Sequence, residues 1–253
     1  MNKIITGDCL DVLPTLDRKA NLCIVDPPFN IGKKYHRYDD WKSDDKYLAF
    51  TYDWLEAVYN ATTDTASVYI CIGDEYAAEV KEMAGLRGFY FRAWVIWHYT
   101  FGVYCESKWG RGHTHILQFS KSPDHWTWNP DAVRVPSDRQ LKYRDKRANP
   151  KGRVPSDVWT FSRVCGTFKE RNGQGHPAQM PEALIERIIL ASSDADDLVL
   201  DPMCGTGTVP AVAKRLNCNY LGIEQSPKYA KAARDRIKRT QRADLPVPKS
   251  GAV

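Results

Sequence analysis

The sequence predicts an α/β fold in which a mainly parallel sheet carries helices on both faces. Short apolar runs alternate with amphipathic stretches, the pattern of strands that are joined through helices. Apolar runs such as residues 22–25 end abruptly in proline or glycine turns, as buried parallel strands do. The chain has 253 residues, 43% of them hydrophobic, so a single domain with a sizeable core is expected.

The first half of the chain supplies four strands and two helices. The predicted strands are residues 22–25, 67–72, 93–97 and 115–119, and the predicted helices are residues 46–63 and 74–86. In the second helix, Asp74 is expected to cap the amino end, and Gly85 and Gly88 to stop the carboxyl end.

The second half resumes this alternation after an interruption. Residues 123–175 contain Pro130, Pro136, Pro150 and Pro155 with little periodicity, and they are interpreted as an irregular basic insertion. Beyond it we predict helices at 181–192 and 208–216, strands at 198–200 and 220–223, and a basic helix after Pro227. Residues 244–253 are expected to form a flexible tail.

Several classes of protein are excluded by composition. No apolar run approaches the ~18 residues of a membrane span, the mean hydropathy is -0.50, and no signal-peptide run opens the chain. The seven cysteines are scattered without a C-x-x-C pair, so a soluble protein of a reducing compartment is expected, without disulfides or a zinc ribbon. His113 and His115 could share a strand face with Cys105 or His98, but no flanking ligand spacing supports a metal site.

The positive charge is concentrated in two segments. The net charge is +5, and residues 121–171 hold twelve Lys/Arg against six Asp/Glu. Residues 228–242 hold seven basic residues and one acid, Asp235. Such clusters favour a polyanionic partner, although two solvated faces would have the same composition.

A glycine-rich turn joins the predicted strand 198–200 to the helix after it. It contains Asp201, Gly205 and Gly207, and the next strand ends in Glu224. Glycines let a ligand approach the backbone, and an acid about 20 residues on binds ribose hydroxyls, so this pattern indicates a nucleoside site. A phosphate loop fits poorly, because no G-K-[S/T] follows and Asp201 would repel phosphate; Asp201 suits an ammonium or sulfonium group.

A second motif, Asp26-Pro27-Pro28-Phe29, follows the first predicted strand. Consecutive prolines fix φ and leave rigid carbonyls without a ladder partner. A carboxylate, such a carbonyl and an aromatic ring together can hold a planar group bearing NH2. Taken alone, the motif would equally suit an ordinary strand-to-loop turn.

The order of the two motifs, with a basic region between them, resembles the β class of DNA amino-methyltransferases. The resemblance covers residues 4–34 and 157–237, including Gly7-Asp8-Cys9-Leu10 and His176-Pro177-Ala178-Gln179-Met180-Pro181-Glu182. Met180 stands where the family usually has lysine, and Phe29 where tyrosine is commoner. The resemblance implies a Rossmann-like methyltransferase fold with S-adenosylmethionine as cofactor, and it makes residues 123–175 the embedded target-recognition region.

The same resemblance implies the site residues. The expected catalytic residues are Asp26, Pro27, Pro28 and Phe29. The expected cofactor-binding residues are Asp8, Cys9, His176, Gln179, Asp201, Met203, Gly205, Gly207, Thr208 and Glu224. The expected DNA-binding residues are Lys33, Lys34, Lys142, Arg144, Lys146 and Arg147. No metal is expected.

The resemblance implies methylation of the exocyclic amino group of a flipped-out base within a short duplex recognition sequence. N6 of adenine is the expected target, since family members with Asp at the position of Asp26 mostly modify adenine. N4 of cytosine is the first alternative. An RNA or protein methyltransferase, or an inactive nucleic-acid-binding module, stays open. A cytosine-C5 enzyme is excluded, because the chain has no Pro-Cys dipeptide.

The resemblance also bears on partners and location. DNA is the expected partner, and homodimers are common in the family, whereas the sequence shows neither an interface nor whether a restriction enzyme accompanies the protein. A cytoplasmic, nucleoid-associated protein of a bacterial or phage-infected cell is expected.

Overall fold

Eight strands form one sheet in the computed structural model, which describes residues 1–100, 105–166, 168, 170–171 and 176–243. The strands are β1 (Asn2–Thr6), β2 (Ala20–Val25), β3 (Thr62–Ile72), β4 (Tyr90–His98), β5 (His113–Ser120), β6 (Val158–Thr160), β7 (Leu198–Asp201) and β8 (Asn219–Glu224). The helices are α1 (Cys9–Val12), α2 (Asp44–Ala61), α3 (Ala77–Arg87), α4 (Asp138–Leu141), α5 (Glu182–Ser192), α6 (Thr208–Arg215) and α7 (Pro227–Arg239). The predicted tail at 244–253 lies outside the described residues.

The strand order is β1-β8-β7-β2-β3-β5-β4-β6. All pairings are parallel except those of β5 with β3 and β4, so β5 alone among these eight strands runs in the opposite direction. The carboxyl ends of β2, β7 and β8, three adjacent strands, therefore lie at one edge of the sheet. In such sheets ligands bind outside the carboxyl ends of the strands.

Helices cover both faces of the sheet, as β2 illustrates. Leu22 and Ile24 belong to the apolar cluster that includes α5, α6 and α7, whereas Cys23 and Val25 belong to the cluster that includes α2 and α3. A strand buried on both faces has no polar alternation, which is why the apolar run at 22–25 was readable from the sequence.

Some predicted boundaries were wrong for identifiable reasons. β3 begins at Thr62, immediately after α2, five residues before the predicted start. α3 begins at Ala77 without a side-chain cap; Asp74 instead pairs with Arg111, whose Nη2 lies 2.5 Å from its Oδ1. The predicted stop is close to the observed one, because Gly88 ends the helix with a left-handed φ of 106°.

The described part of residues 123–175 is less irregular than predicted. α4 begins with a capping box, in which Ser137 and Gln140 each bond the other's backbone. β6 pairs in parallel with β4 at the edge of the sheet, and the backbone N–H of Asn129 donates to the carbonyl of Ala191 at 2.7 Å. This segment is thus joined to the sheet and to α5. Across the described residues, no helix combines the length and apolar character that a membrane crossing requires.

Candidate active site

A cleft opens where β2, β7 and β8 end. Asp26 follows β2, Asp201 ends β7 and Glu224 ends β8, and all three carboxylates line the cleft. Its empty volume, with the open mouth included, is about 970 Å³. Three acids from three adjacent strands give this cleft a negative lining.

The two acids on β7 and β8 are held by backbone N–H groups. Asp201 accepts from Met203 at 3.2 Å, and Glu224 accepts from Gly205 at 2.9 Å and from Ser226 at 2.8 Å. Burial raises the pKa of Glu224 to about 6. Burial also raises the pKa of Asp201 well above its usual range, and the nearby charges of Asp26 and Glu224 raise it further. A bound cation would relieve this repulsion, so the cleft favours a cationic ligand.

The two glycines with left-handed φ in the turn after β7 have different surroundings. A Cβ on Gly205 (φ 50°) would lie 2.9 Å from Nε2 of His176, inside the cleft. A Cβ on Gly207 (φ 80°) would lie 2.8 Å from the Cβ of Ala233 on α7. Gly207 does not line the cleft; it permits the close packing of the turn on α7. Thr208 does line the cleft, and its Oγ1 accepts a hydrogen bond from Arg236.

The loop after β1 adds Asp8 and Cys9 to the lining. Asp8 caps α1 by accepting from the N–H of Leu10 at 3.0 Å. Burial raises the pKa of the Cys9 thiol to about 12, so Cys9 is a neutral apolar wall. Met203 completes this side of the cleft.

His176, Gln179 and Met180 line the side of the cleft that precedes α5. The His176 ring lies between Tyr35 and Tyr229, with centroids at 5.9 Å and 4.7 Å, and burial lowers the pKa of His176 to about 4, so the ring is neutral near pH 7. Met180, at the position where the family usually has lysine, is buried with its Sδ 3.7 Å from Sγ of Cys71.

The motif after β2 lies beside the cleft. Burial raises the pKa of Asp26 to about 7, and the positive charge of Lys33 opposes that rise. Pro28 lines the cleft, and its carbonyl accepts from the hydroxyl of Tyr47 at 2.7 Å. Pro27 and Phe29 do not line the cleft. Phe29 packs near Gly73, where an added Cβ would lie 3.3 Å from its Cδ2.

Several residues that line the cleft were missed by the sequence reasoning. They are Tyr35, His36, Arg37, Tyr38, Phe50, Ser226 and Tyr229. The signal was present in the aromatic-rich stretch 35–38, which follows the Asp26 motif within ten residues. Its side chains reach the cleft because the loop after Phe29 folds back over it.

The predicted DNA-binding residues differ in their exposure and in their ion pairs. Lys33 is half-buried, with its Nζ 5.9 Å from the centroid of Phe29, whereas Lys34 is exposed. Lys142 pairs with Asp138 and Arg147 with Asp145, both at 3.0 Å. The other two, Arg144 and Lys146, are exposed, and none of these four from 142 to 147 lines the cleft.

Metal ligation has no support in the described part of the chain, where no group of three or more His, Cys, Asp or Glu could hold an ion. The ring centroids of His113 and His115 lie 4.8 Å apart. Nδ1 of His115 accepts from the indole N–H of Trp94 at 2.9 Å, which commits that nitrogen.

The cleft lies at the carboxyl edge of a parallel sheet, beside a glycine turn and an acid at the end of the next strand. This arrangement is typical of α/β proteins that bind a nucleoside-bearing cofactor. Comparison with known proteins narrows this class. A family model described as DNA methylase matches residues 20–235, most of the chain. The chain belongs to this DNA methylase family, which confirms the resemblance seen in its motifs.

Two curated relatives span nearly the whole chain. The Type II methyltransferase M.HpaI of Haemophilus parainfluenzae is 38% identical over 237 residues, which cover 93% of this chain and 74% of that protein. The DNA adenine methyltransferase YhdJ of Escherichia coli (strain K12) is 31% identical over 243 residues, which cover 92% of this chain and 82% of that protein.

Solved structures with the same fold include both a cofactor complex and a cytosine-specific enzyme. The crystal structure of the M1.HpyAVI–SAM complex has a TM-score of 0.69 at 20% identity and covers 94% of this chain and 99% of its own. The PvuII DNA methyltransferase, cytosine-N4-specific, has a TM-score of 0.73 at 19% identity and covers 93% of this chain and 86% of its own. These likenesses confirm the predicted Rossmann-like methyltransferase fold.

Proposed function

We propose that this protein transfers a methyl group from S-adenosylmethionine to the exocyclic amino group of a base in DNA. The observation that carries the proposal is the arrangement of Asp26 and Asp201. They follow and end the adjacent strands β2 and β7 and line one cleft, so a group held at Asp26 lies beside a ligand held at Asp201.

The cleft fits the cofactor chemically. S-adenosylmethionine has an ammonium group, a sulfonium group and a ribose, and when bound it supplies an electrophilic methyl group. The buried Asp201 suits the cationic end, and the oxygens of Glu224, each with one lone pair left beside its N–H partner, suit ribose hydroxyls. Tyr35 and Tyr38 give the cleft apolar surface for the adenine, and Asp8 stands at the same wall.

Asp26 and the carbonyl of Pro27 are the proposed acceptors for the target amino group. The lone pair of this amino group is delocalised into the base, and two acceptors on its hydrogens favour a pyramidal nitrogen that points toward the cofactor. The amino nitrogen loses one proton when it gains the methyl group. With a pKa of about 7, the Asp26 carboxylate is matched to take that proton near neutral pH.

The hydrogen bonding of Pro28 supports the choice of the Pro27 carbonyl as the second acceptor. The Pro28 carbonyl is engaged by Tyr47, which leaves the Pro27 carbonyl as the acceptor for the substrate. A base inside a duplex cannot reach this site, so it must be flipped out, and the half-buried ring of Phe29 is the proposed stacking surface. Residues 123–175 are the proposed target-recognition region.

Adenine N6 is the proposed target atom. It is supported by the relative named as a DNA adenine methyltransferase and by the aspartate at position 26. Cytosine N4 is the second candidate, because the PvuII enzyme of the same fold is cytosine-N4-specific. Both targets are amino groups beside a ring nitrogen, so the same acceptors serve either base.

The test is methyl transfer to enzymatically amplified DNA, which has no methylated bases, followed by mass spectrometry of the nucleosides. N6-methyladenine is the expected product. N4-methylcytosine as the only product would replace adenine by cytosine. Label from the cofactor that enters RNA or protein, offered in parallel, and never DNA would overturn the proposed substrate.

A further inference from the structure

Asp40 is a buried carboxylate that the proposed mechanism does not use. It is 2% exposed, and it does not line the cleft. Its Oδ1 accepts from the N–H of Asn30 at 2.8 Å, and its Oδ2 accepts from the N–H groups of Ile31 at 3.2 Å and Lys33 at 2.9 Å. A charge is retained in such a place only when hydrogen bonds compensate its desolvation.

These three bonds close the segment 30–42, the loop that follows the Asp26 motif. The N–H of Gly32 donates to the carbonyl of Asp40 at 2.8 Å. At the base of the loop, the Asn30 amide pairs with both backbone groups of Lys42, at 2.7 Å and 2.9 Å. Asn30 itself has a left-handed φ of 58°, a conformation that needs such support in a non-glycine residue. The Asp40 carboxylate therefore joins the two sides of the loop, and the Asn30 amide closes its base.

The loop serves both halves of the site. On the Asp26 side it carries Lys33, whose backbone N–H is bound by Asp40 and whose positive charge opposes the rise in the pKa of Asp26. On the cofactor side it carries Tyr35 and Tyr38, which line the cleft. A shift of the loop would move all three side chains together.

We propose that Asp40 is a positioning residue, which holds the loop so that Lys33 faces Asp26 while Tyr35 and Tyr38 cover the cofactor cleft. This inference rests on the proposed function. It adds that the placement of the Lys33 side chain depends on a residue seven positions further along the chain, which binds the backbone N–H of Lys33.

The charged groups around Asp26 and Lys33 determine how the proposal can be tested. Asp26 is faced by Lys33, Asp201, Tyr35 and Cys71. Lys33 is faced by Asp26, Asp40, Arg163, Arg111 and His176. Loss of the Lys33 charge, or its displacement, raises the pKa of Asp26. Direct removal of the negative charge of Asp40 would by itself lower that pKa, so the two effects have opposite signs.

The experiment compares Asp40→Asn, Lys33→Met and the control Asp39→Asn. Asp39 is exposed, and its Oδ1 accepts from the N–H of Trp41, a bond that asparagine can also make. For each protein, kcat/KM on enzymatically amplified DNA is measured from pH 5.5 to 9, and cofactor affinity by calorimetry. The acidic limb of kcat/KM reports the essential base of the free enzyme.

We expect Asp40→Asn and Lys33→Met both to move the acidic limb to higher pH, by about half a unit or more. Asp40→Asn should also lower kcat at least about tenfold, as misplacement of reacting groups does, and weaken cofactor binding, whereas Lys33→Met should leave cofactor affinity within about threefold. Asp39→Asn should match the wild type.

The inference would be overturned if the acidic limb of folded Asp40→Asn stayed in place or moved to lower pH. It would also be overturned if the acidic limb of Lys33→Met did not move, and this second variant tests the inference even if Asp40→Asn does not fold. In either case an active wild type leaves the proposed function standing. A wild type that methylates no DNA would instead defeat the proposed function.

Discussion

The turns after β2 and β7 lie at adjacent strands and each involve an aspartate, half-buried Asp26 and buried Asp201, but they are built in different ways. The turn after β7 uses Gly205 and Gly207 at left-handed φ, and its backbone approaches His176 and Ala233 as closely as a missing Cβ allows. The turn after β2 uses prolines and is held by side chains from later in the chain, Tyr47 and Asp40. In the proposed mechanism, the turn after β7 brings backbone close to the cofactor, and the turn after β2 holds side chains in place for the reaction.

The electrostatics of the two turns differ in the same way. Asp26 has the cation Lys33 nearby, and its pKa is about 7. The groups that shift the pKa of Asp201 by charge are both acids, so its partner cation has to come with the ligand. The comparison predicts that removal of the Asp26 carboxylate lowers the rate, whereas a change to the acid at the end of β7 or β8 lowers cofactor affinity.

The largest effect is expected from Asp26→Ala. Methyl transfer should fall by at least about 100- to 1000-fold, the loss seen when one oriented hydrogen-bonding group is removed from a transition state. Cofactor affinity, measured by calorimetry, should stay within a few-fold, because the proposed partner of Asp26 is the base and not the cofactor. Complete loss of cofactor binding in this variant would erase the distinction between the two turns.

The next effect is expected from Glu224→Gln. Its amide would place a donor against the N–H of Gly205 or Ser226, so cofactor affinity should fall about tenfold or more. In the wild type, affinity for the cationic cofactor should decrease as the pH falls through about 6, where Glu224 becomes protonated. Calorimetry at several pH values tests both, and an affinity independent of pH in the wild type would contradict the assignment.

A smaller effect, on stability, is expected from Gly207→Ala. The new Cβ would meet Ala233 at 2.8 Å in a backbone conformation unfavourable to alanine, so the free energy of unfolding should fall by about 1–3 kcal/mol. Gly85→Ala is the matched control, since it lies in α3 with nothing within 4 Å of the added Cβ, and there alanine should stabilise by about 0.5–1 kcal/mol. Thermal denaturation of both variants distinguishes the close contact at Gly207 from a general effect of replacing glycine by alanine. Equal melting temperatures would contradict the role given to the close contact.

The smallest effect is expected from neutralising Lys142, Arg144, Lys146 and Arg147 together. Each phosphate contact contributes about -0.9 to the slope of log affinity against log salt, so a shallower slope is expected for DNA binding. The change should be less than four full contacts, because Lys142 and Arg147 already pair with acids. Lys46→Gln on α2 is the control, and a quadruple variant that matches it would return the segment to an ordinary solvated face.

The sequence was sufficient for the elements that are buried on both faces. β2, β7 and β8 are continuous apolar runs, and α5 shows a clear apolar face, so their order and the position of the site between them could be predicted. β1 has only Ile4 buried, and β6 has three residues; neither has an internal signal strong enough to identify a strand. Both depend on pairing with a neighbour that lies far away in the sequence.

Within the site, the sequence located the acids but not the groups that hold them. Asp26, Asp201 and Glu224 follow strands, and strand ends can be read from the sequence. Asp40 and Tyr47 act through hydrogen bonds to the backbone of a loop, and no spacing rule predicts where such a loop folds back. Only the composition of the aromatic stretch 35–38 hinted at the lining of the cleft.

If residues 123–175 recognise the target sequence, as proposed above, the edge strand β6 limits how this region can be exchanged. β6 lies within residues 123–175 yet pairs with β4, matching Ile96 with Val158 and His98 with Thr160. A replacement for this segment must therefore supply its own three-residue strand that pairs with β4 in the same way. A chimera joined after β6 would leave a hydrophobic sheet edge open to other chains, so grafts of new specificity should end before Val158.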